Sequence, residues 1–188
     1  MIDIVVLAGG KSSRYSENKL AQLMNDKPLL YYTIQPFLDF SNKVIIVSGH
    51  YSADYILPYL THPSVQIVHN DNYEMGMFSS VQTGIKHATQ DVMVIPGDCP
   101  TVKPSTIDTL CRGSGLIRVP VYQQRRGHPI FISEMIHHEL LAQPITSNLK
   151  EFRDQYDVEY IQVDDPNILH DIDHQHDMKQ LLRKGEVE

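Results

Sequence analysis

The segment LAGGKSSRYSENK, at positions 7–19, combines two adjacent glycines with a Ser-Ser pair and the cations Lys11, Arg14 and Lys19. Glycine lets a backbone approach an anion closely, and backbone amides, Arg and Lys donate hydrogen bonds to phosphate oxygens. Neither common phosphate-loop pattern is present, because a Walker loop would require glycine where Val5 stands and no Gly-x-Gly-x-x-Gly occurs. The segment therefore indicates either a cradle for a triphosphate or an ordinary strand-to-helix turn.

Carboxylates in two other segments are candidates for a divalent cation. Asp98 follows an apolar run in IPGDCPTV (95–102), and Asp171 and Asp173 lie in HDIDHQHD (170–177). Mg²⁺ prefers one or two carboxylates together with water and phosphate oxygens. Asp171 and Asp173 are two residues apart, so in an extended chain they face the same side. The alternative for each is local, with Asp98 accepting hydrogen bonds in its own turn and one of the later pair capping a helix.

Two further segments place small or basic residues at a turn. In EMGMFSSVQTGI (74–85), Gly76 precedes small polar residues that enter a helix, and the exposed amides there suit a ribose or a base edge. In RRGHPIFI (125–132), two arginines, Gly127 and His128 precede a strand, which favours an anionic acceptor site. The alternatives are a plain helix start and a plain hairpin turn.

The elements that must position these residues alternate along the chain. Apolar and β-branched runs predict strands at 2–8, 43–49, 65–69, 91–97, 116–122, 129–133 and 158–163. Helical periodicity predicts helices at 28–40, 52–60, 77–88 and 174–184, the first two kinked or shortened by Pro36 and Pro58. Strands that alternate with helices predict a mostly parallel sheet, with ligands bound beyond the carboxyl ends of its strands. Positions 9–19 and 97–102 should therefore lie at the same edge of the sheet.

Composition limits the classes of function. A length of 188 residues predicts a single domain spanning 1–188, and a net charge of −7 argues against a nucleic-acid binder. Only two cysteines occur, Cys99 and Cys111, which is typical of a reducing cytoplasm. No apolar run approaches the roughly 20 residues that span a bilayer, and the start lacks a cationic signal region. We therefore expect a cytoplasmic protein with no membrane partner.

The order and spacing of the motifs, taken together, resemble the MobA-like nucleotidyltransferases. More narrowly, they resemble the molybdenum cofactor cytidylyltransferases that serve molybdenum hydroxylases. The pattern is Ala8-Gly9-Gly10-x-Ser12-x-Arg14-x4-Lys19, Gly76-Met77-x-Ser79-Ser80-Val81-x-x-Gly84-Ile85, Gly97-Asp98-x-Pro100, Arg126-Gly127-His128-Pro129 and Asp171-Ile172-Asp173. The resemblance implies an α/β fold of three layers, Rossmann-like and of the GT-A type, with a mostly parallel central sheet.

The same resemblance implies a reaction and its partners. The reaction is Mg²⁺-dependent transfer of a nucleoside monophosphate from CTP or GTP to the molybdopterin cofactor, with CMP favoured and pyrophosphate released. A molybdenum hydroxylase apo-enzyme is the implied partner. Arg14 would contact the departing pyrophosphate and Lys19 the α-phosphate. Asp98 would bind Mg²⁺, with Asp173 favoured as the second ligand and Asp171 as the reserve.

Two sets of binding residues follow from the resemblance. The acceptor would lie against Arg126, Gly127 and His128. The nucleotide would lie against Leu7, Ala8, Gly9, Gly10, Lys11, Ser12, Ser13, Gly76, Ser79 and Ser80.

Several positions depart from the family pattern. Ala8-Gly9-Gly10 is similar to the guanylyltransferase branch, whereas the five-residue step from Arg14 to Lys19 is similar to the cytidylyltransferase branch. Tyr15-Ser16 stands where the family usually has Met-Gly, and Phe78 replaces a small residue. Two alternatives therefore stay open: a non-catalytic accessory protein that binds the molybdenum cofactor, and a nucleotidyltransferase acting on a sugar or alditol phosphate.

Overall fold

The structure is a computed structural model that describes residues 1–11, 17–172 and 176–177. Buried strands rich in β-branched residues form the centre of the molecule. The strands are β1 (Ile2–Ala8), β2 (Leu23–Met24), β3 (Lys27–Pro28), β4 (Ser41–Ser48), β5 (Val65–His69), β6 (Val92–Pro96), β7 (Ile117–Tyr122), β8 (Arg125–Arg126), β9 (Ile130–Ile132) and β10 (Val158–Gln162). The α-helices are α1 (Leu29–Ile34), α2 (Met77–Ile85), α3 (Pro104–Arg112), α4 (His137–Ala142) and α5 (Leu149–Arg153). Short 3₁₀ helices cover Lys19–Ala21, Gln35–Phe37, Asp54–Tyr59, Tyr73–Met75, Glu134–Ile136 and Pro166–Leu169.

The central sheet is mostly parallel. Its order is β10-β7-β9-β6-β1-β4-β5, with β8 paired to β7, while β2 and β3 form a separate pair. β1 lies between β4 and β6 and runs parallel to both. β9 runs antiparallel to β6 and to β7, while β10 runs parallel to β7. The order reverses beside β1, and ligands bind at the carboxyl edge beside such a reversal.

Side chains of β1 alternate between two apolar clusters, one on each face of the sheet. Ile4 and Val6 pack on one face in the cluster that includes Leu29 of α1. Val5 packs on the other face with Val81 of α2. Helices on both faces of the sheet complete three layers and bury the central strands on both sides.

The predicted fold class is confirmed, and the strand predictions agree with the structure to within one or two residues at each end. The predicted shortening of two helices at Pro36 and Pro58 is confirmed, while the bounds predicted for these helices need correction. The segment predicted at 28–40 ends as an α-helix at Ile34, and the segment at 52–60 is only a 3₁₀ helix, because Pro36 and Pro58 cannot donate backbone hydrogen bonds.

Three helices were not predicted: α3, α4 and α5. Each is short, with few apolar residues. The helix predicted at 174–184 lies outside the described residues except for positions 176 and 177, which are helical. Within the part of the chain that the structure describes, no helix has the length and apolar character needed to cross a membrane.

Candidate active site

A cleft of about 360 Å³ opens beyond the carboxyl ends of β1 and β6. The turn after β1 supplies Gly9 and Gly10, and the turn after β6 supplies Gly97 and Asp98. The structure therefore brings together the two segments whose strand positions predicted a shared edge.

The predicted site residues divide into three groups. Those that line the cleft are Leu7, Gly9, Gly10, Lys19, Gly76, Ser80 and Asp98. Those that the structure describes but that do not line the cleft are Ala8, Lys11, Ser79, Asp171, Arg126, Gly127 and His128. Ser12, Ser13, Arg14 and Asp173 lie outside the described residues.

Gly9 and Gly10 have different surroundings: Gly9 packs closely against neighbouring residues, and Gly10 faces open space. A Cβ on Gly9 would lie 3.3 Å from the Ser80 hydroxyl, whereas a Cβ on Gly10 would meet no atom within 4 Å. The end of β4 also approaches closely, since a Cβ on Gly49 would lie 2.7 Å from the Gly9 carbonyl oxygen. The loop after β1 is thus held by backbone contact on one side and open on the cleft side.

Gly76 begins α2 at the opposite wall of the cleft, with a φ of 104° that a residue bearing a Cβ rarely adopts. Asn70 supports this wall: its Nδ2 donates to Ser79 Oγ at 2.8 Å and to Ser80 Oγ at 3.0 Å. Ser79 Oγ donates to the Gly76 carbonyl oxygen at 2.7 Å, and Ser79 is only 1% exposed. Ser79 therefore shapes the turn, and Ser80 is the serine that faces the cleft.

Lys19 and Asp98 face each other across the floor of the cleft. Lys19 Nζ donates to Asp98 Oδ2 at 2.7 Å, and the two side chains are 11% and 27% exposed. Both ends are anchored: the Asn18 side chain caps the 3₁₀ helix that begins at Lys19, and Thr33 Oγ1 donates to the Gly97 carbonyl oxygen at 2.7 Å. The pair places a cation and a carboxylate where a metal–triphosphate complex would need both.

Asp171, near the end of the described residues, lies beside the turn that carries Asp98 and Cys99. The Ile172 amide donates to the Asp98 carbonyl oxygen at 2.9 Å. Cys99 Sγ donates to Asp171 Oδ1 at 3.0 Å. Burial raises the pKa of the Cys99 thiol, and the negative charges of Asp171 and Asp98 raise it further. Cys99 is therefore a neutral donor between two carboxylates.

The donor chemistry at this point fits Mg²⁺. Asp98 and Asp171 offer hard carboxylate oxygens from two adjacent loops, and Mg²⁺ takes one or two of these with water and substrate phosphate. Among residues 1–11, 17–172 and 176–177 no group of three or more His, Cys, Asp or Glu side chains is placed to hold a metal. Mg²⁺ bound to a nucleotide does not require such a cage.

The predicted acceptor residues follow the β7–β8 hairpin. The His128 amide donates to the Ile168 carbonyl oxygen at 2.9 Å, and a Cβ on Gly127 would collide with that same carbonyl oxygen. Burial lowers the pKa of the His128 imidazole, against an opposite effect of Asp171 and Asp98. Its Nδ1 is buried and has no hydrogen-bond partner within the described residues. His128 therefore belongs to the surroundings of the two carboxylates.

Among the residues that the structure describes, Arg126 and Lys11 are two further cations predicted to bind ligand, and each contacts a neighbouring side chain. The Arg126 guanidinium lies 4.4 Å from the centre of the Tyr160 ring, on the exposed hairpin. Lys11 Nζ donates to Glu74 Oε1 at 2.7 Å, which links the loop after β1 to the wall before α2. This hydrogen bond raises the pKa of Lys11 and lowers the pKa of Glu74.

Several residues of the cleft were missed by the sequence analysis. They are Leu20, Tyr73, Met77, Pro96 and Gly97. Met77, Pro96 and Gly97 stand inside segments quoted in the sequence analysis, so their positions were available from the sequence. Tyr73 carries no such signal, because it reaches the cleft only through the turn that Asn70 organises.

Comparisons with known proteins agree with this architecture. Residues 4–160 match the MobA-like NTP transferase domain. The chain is 28% identical over 181 residues to the molybdenum cofactor cytidylyltransferase of Escherichia coli (strain K12), a match that covers 92% of this chain and 91% of that protein. It is 35% identical over 106 residues to a probable molybdenum cofactor guanylyltransferase of Thermococcus sibiricus, covering 55% of this chain and 51% of that protein.

Among solved structures, Rv0371c from Mycobacterium tuberculosis H37Rv has a TM-score of 0.78 at 22% identity, covering 97% of this chain and 98% of that one. A structure of the same protein in complex with manganese has a TM-score of 0.75 at 21% identity, covering 97% of both chains. At this level of identity the likeness shows the fold.

Proposed function

The chain belongs to the MobA-like NTP transferase family and is a nucleotidyltransferase, and from that premise we propose that it transfers CMP from CTP to the molybdenum cofactor. Transfer of GMP from GTP is the alternative. The preference for CMP is supported by the extent of the likeness, since the cytidylyltransferase match covers 92% of the chain and the guanylyltransferase match 55%.

The observation that carries the proposal is the pairing of Lys19 with Asp98 on the floor of the cleft, 2.7 Å apart. Nucleotidyl transfer builds negative charge on the α-phosphate and on the departing pyrophosphate. A lysine beside a carboxylate that faces the same cleft is the minimum set for holding a metal–triphosphate complex. Gly9 and Gly10 allow the triphosphate close to the backbone.

The reaction is an in-line displacement at phosphorus. An oxygen of the acceptor's terminal phosphate attacks the α-phosphorus, a new P–O bond forms, the bond to the β-phosphate oxygen breaks, and pyrophosphate leaves. A phosphate monoester is mostly ionised near neutral pH, because its second pKa is about 6. The attacking oxygen therefore needs no protein base, and catalysis reduces to positioning and charge neutralisation.

The chain's own residues would share this work. Asp98, with Asp171 or Asp173, would hold Mg²⁺, and the bound ion would neutralise charge on the phosphates. Lys19 would donate to an α-phosphate oxygen, and Arg14 would bind the departing pyrophosphate. Ser80 and Gly76 would border the nucleoside.

The acceptor would approach from the side of Arg126, Gly127 and His128, and the product would pass to a molybdenum hydroxylase apo-enzyme. We take residues 1–188 as one domain in this scheme. The pairing of β10 with β7 supports this view, because it joins a late strand to the common sheet.

The experiment is pyrophosphate release with each of CTP, GTP, ATP and UTP, with molybdopterin cofactor as acceptor and Mg²⁺ or Mn²⁺ present. We expect turnover selective for CTP, and at least about a 100-fold loss in Asp98→Ala, since that substitution removes a group that acts on developing charge. Asp108→Ala is the matched control, because Asp108 is an exposed carboxylate paired with Arg112 on α3.

Three results would contradict the proposal in different ways. Turnover selective for GTP would reassign the base. Turnover with a sugar or alditol phosphate, but not with the pterin, would reassign the acceptor. Binding of the cofactor without consumption of any nucleotide would indicate an accessory protein.

A further inference from the structure

The Lys19–Asp98 ion pair is held on both sides by the fold. Its side chains are mostly buried, at 11% and 27% exposure, and they come from segments 79 positions apart in the chain. The Asn18 cap fixes the start of the 3₁₀ helix that carries Lys19, and Thr33 fixes the turn that carries Asp98. An ion pair held in this way differs from a surface pair, whose contribution is small.

Lys19 and a bound divalent cation would compete for the carboxylate of Asp98. Asp98 Oδ2 accepts from Lys19 Nζ, and Asp98 Oδ1 lies 3.9 Å from Cys99 Sγ. A divalent cation on Asp98 would lie within a few ångströms of the lysine ammonium, and like charges at about 4 Å in a partly buried site repel each other strongly. This repulsion favours the transfer of Lys19 from Asp98 to another anion when a metal binds there.

A triphosphate in the cleft would supply such an anion, since Lys19 lines the same space as Gly9 and Gly10. We propose that Lys19 is an exchangeable counter-cation, which holds the metal-binding face of Asp98 in the nucleotide-free enzyme and transfers to the α-phosphate when metal and nucleotide bind. This inference rests on the proposed function, and it adds a dependence between the two ligands.

The dependence has a measurable form. Metal alone competes with Lys19 for Asp98, whereas metal in the presence of nucleotide does not, because the phosphate has taken the ammonium. Nucleotide therefore strengthens metal binding by more than the phosphate oxygens alone would, and metal strengthens nucleotide binding by the same factor. Removal of the lysine charge tightens metal binding and weakens nucleotide binding, which are effects of opposite sign.

The test is the dissociation constant of Mn²⁺, followed by the electron paramagnetic resonance signal of free Mn²⁺, with and without CTP or GTP. We expect Lys19→Met to bind Mn²⁺ alone about tenfold more tightly than the wild-type protein, because a charge-assisted hydrogen bond no longer competes for Asp98. Lys19→Arg keeps a cation at this position and should bind Mn²⁺ as weakly as the wild type does. Lys43→Met removes a lysine whose Nζ instead donates to the His87 carbonyl oxygen at 3.0 Å, so it should leave the affinity for Mn²⁺ alone unchanged.

The factor by which nucleotide strengthens Mn²⁺ binding should be about tenfold larger in the wild type than in Lys19→Met. Equal factors, or unchanged or weaker Mn²⁺ binding by nucleotide-free Lys19→Met, would overturn the inference while leaving the proposed function intact. A wild-type protein that binds no nucleotide with Mn²⁺ or Mg²⁺ would overturn the proposed function as well. Thermal melting identifies a variant that fails to fold, and Lys19→Gln then serves as the uncharged replacement in the same comparison.

Discussion

The two ends of the central sheet use carboxylates in opposite ways. At the amino end, Asp3 is fully buried and accepts from the Thr89 amide at 2.7 Å and from Asn42 Nδ2 at 3.2 Å. Asp91, just before β6, accepts from the Glu134 amide at 2.8 Å and from the Ser133 hydroxyl at 3.0 Å. These four donors are neutral, and two of them are backbone amides.

At the carboxyl end, Asp98 accepts from the ammonium of Lys19 and keeps 27% of its side chain exposed in a cleft. Asp171 accepts from the thiol of Cys99 and is also exposed. The amino-end carboxylates each accept from at least two donors and tie elements together, whereas Asp98 and Asp171 each keep an exposed side. The open side of the carboxyl-end pair is what leaves room for a ligand.

The largest expected effect comes from Asp98→Asn. This change keeps the shape of the side chain and an oxygen that can accept from Lys19, but it removes the charge. We therefore expect turnover to fall at least about 100-fold, while the free energy of unfolding falls by less than about 2 kcal/mol. Steady-state kinetics and urea denaturation on the same sample measure both. A variant that loses stability in step with activity would place Asp98 with the amino-end carboxylates.

The corresponding substitution at the amino end of the sheet is Asp3→Ala. It leaves the Thr89 amide and the Asn42 side chain without their buried acceptor, so we expect a loss of about 2–4 kcal/mol in the free energy of unfolding. The turnover of the protein that remains folded should be unchanged. Urea denaturation measures the free energy of unfolding, and steady-state kinetics at urea concentrations below the unfolding transition measure the turnover. A loss of turnover without a loss of stability would show that Asp3 does not differ from Asp98 in the way described.

A smaller effect is expected from two histidines, His128 near the carboxyl end and His137 near the amino end. Burial lowers the pKa of both imidazoles below the usual 6.5. Below about pH 6.5 the unfolded chain therefore binds protons that the folded chain does not, and the free energy of unfolding falls as the pH falls. Each group can contribute up to about 1.4 kcal/mol per pH unit in that interval.

We expect His128→Gln and His137→Gln each to reduce the loss of stability between pH 7.5 and pH 5.5, measured by urea denaturation. At pH 7.5 only His128→Gln should also alter the Michaelis constant for the acceptor, because His128 adjoins Asp98 and Asp171. An identical kinetic effect from His137→Gln would contradict that assignment.

The smallest effect belongs to the Lys11–Glu74 pair at the entrance of the cleft. Its side chains are 53% and 65% exposed, so solvent screens the attraction. For Glu74→Gln we expect an unchanged melting temperature and a nucleotide dissociation constant lower by about twofold, because Lys11 no longer has an anionic competitor for the phosphates. A tenfold change would show that this pair resembles the buried pair at Asp98.

The carboxyl edge of the sheet could be predicted from the sequence because its strands are buried on both faces and leave long β-branched runs. The turns that follow parallel strands lie at the same edge of the sheet, and this rule predicted that Gly9 and Asp98 lie close together. The helix α3 was missed, because its apolar positions are few, although Pro104 at its first turn was a usable signal.

The contacts within the site could not be predicted in the same way. The hydrogen bond from Lys19 to Asp98 joins residues 79 positions apart, and the Cys99–Asp171 contact joins residues 72 positions apart. Periodicity and turn chemistry report on neighbours along the chain, whereas these contacts depend on how two loops are oriented after the sheet has formed. Asn70 was missed for this reason, since its amide bridges to serines nine and ten positions later.

The antiparallel strand β9 has a consequence for the layout of the carboxyl edge of the sheet. Because β9 opposes its neighbours, its first residue lies at the carboxyl edge of the sheet, and the hairpin before it delivers Gly127 and His128 to the two carboxylates. No crossover helix passes through residues 117–132, since β7, β8 and β9 follow one another by short turns. The buried strands β7 and β9 belong to the sheet, whereas the tip between them is exposed, so substitutions at Arg125 and Arg126 can change the charge of this edge without disturbing the core.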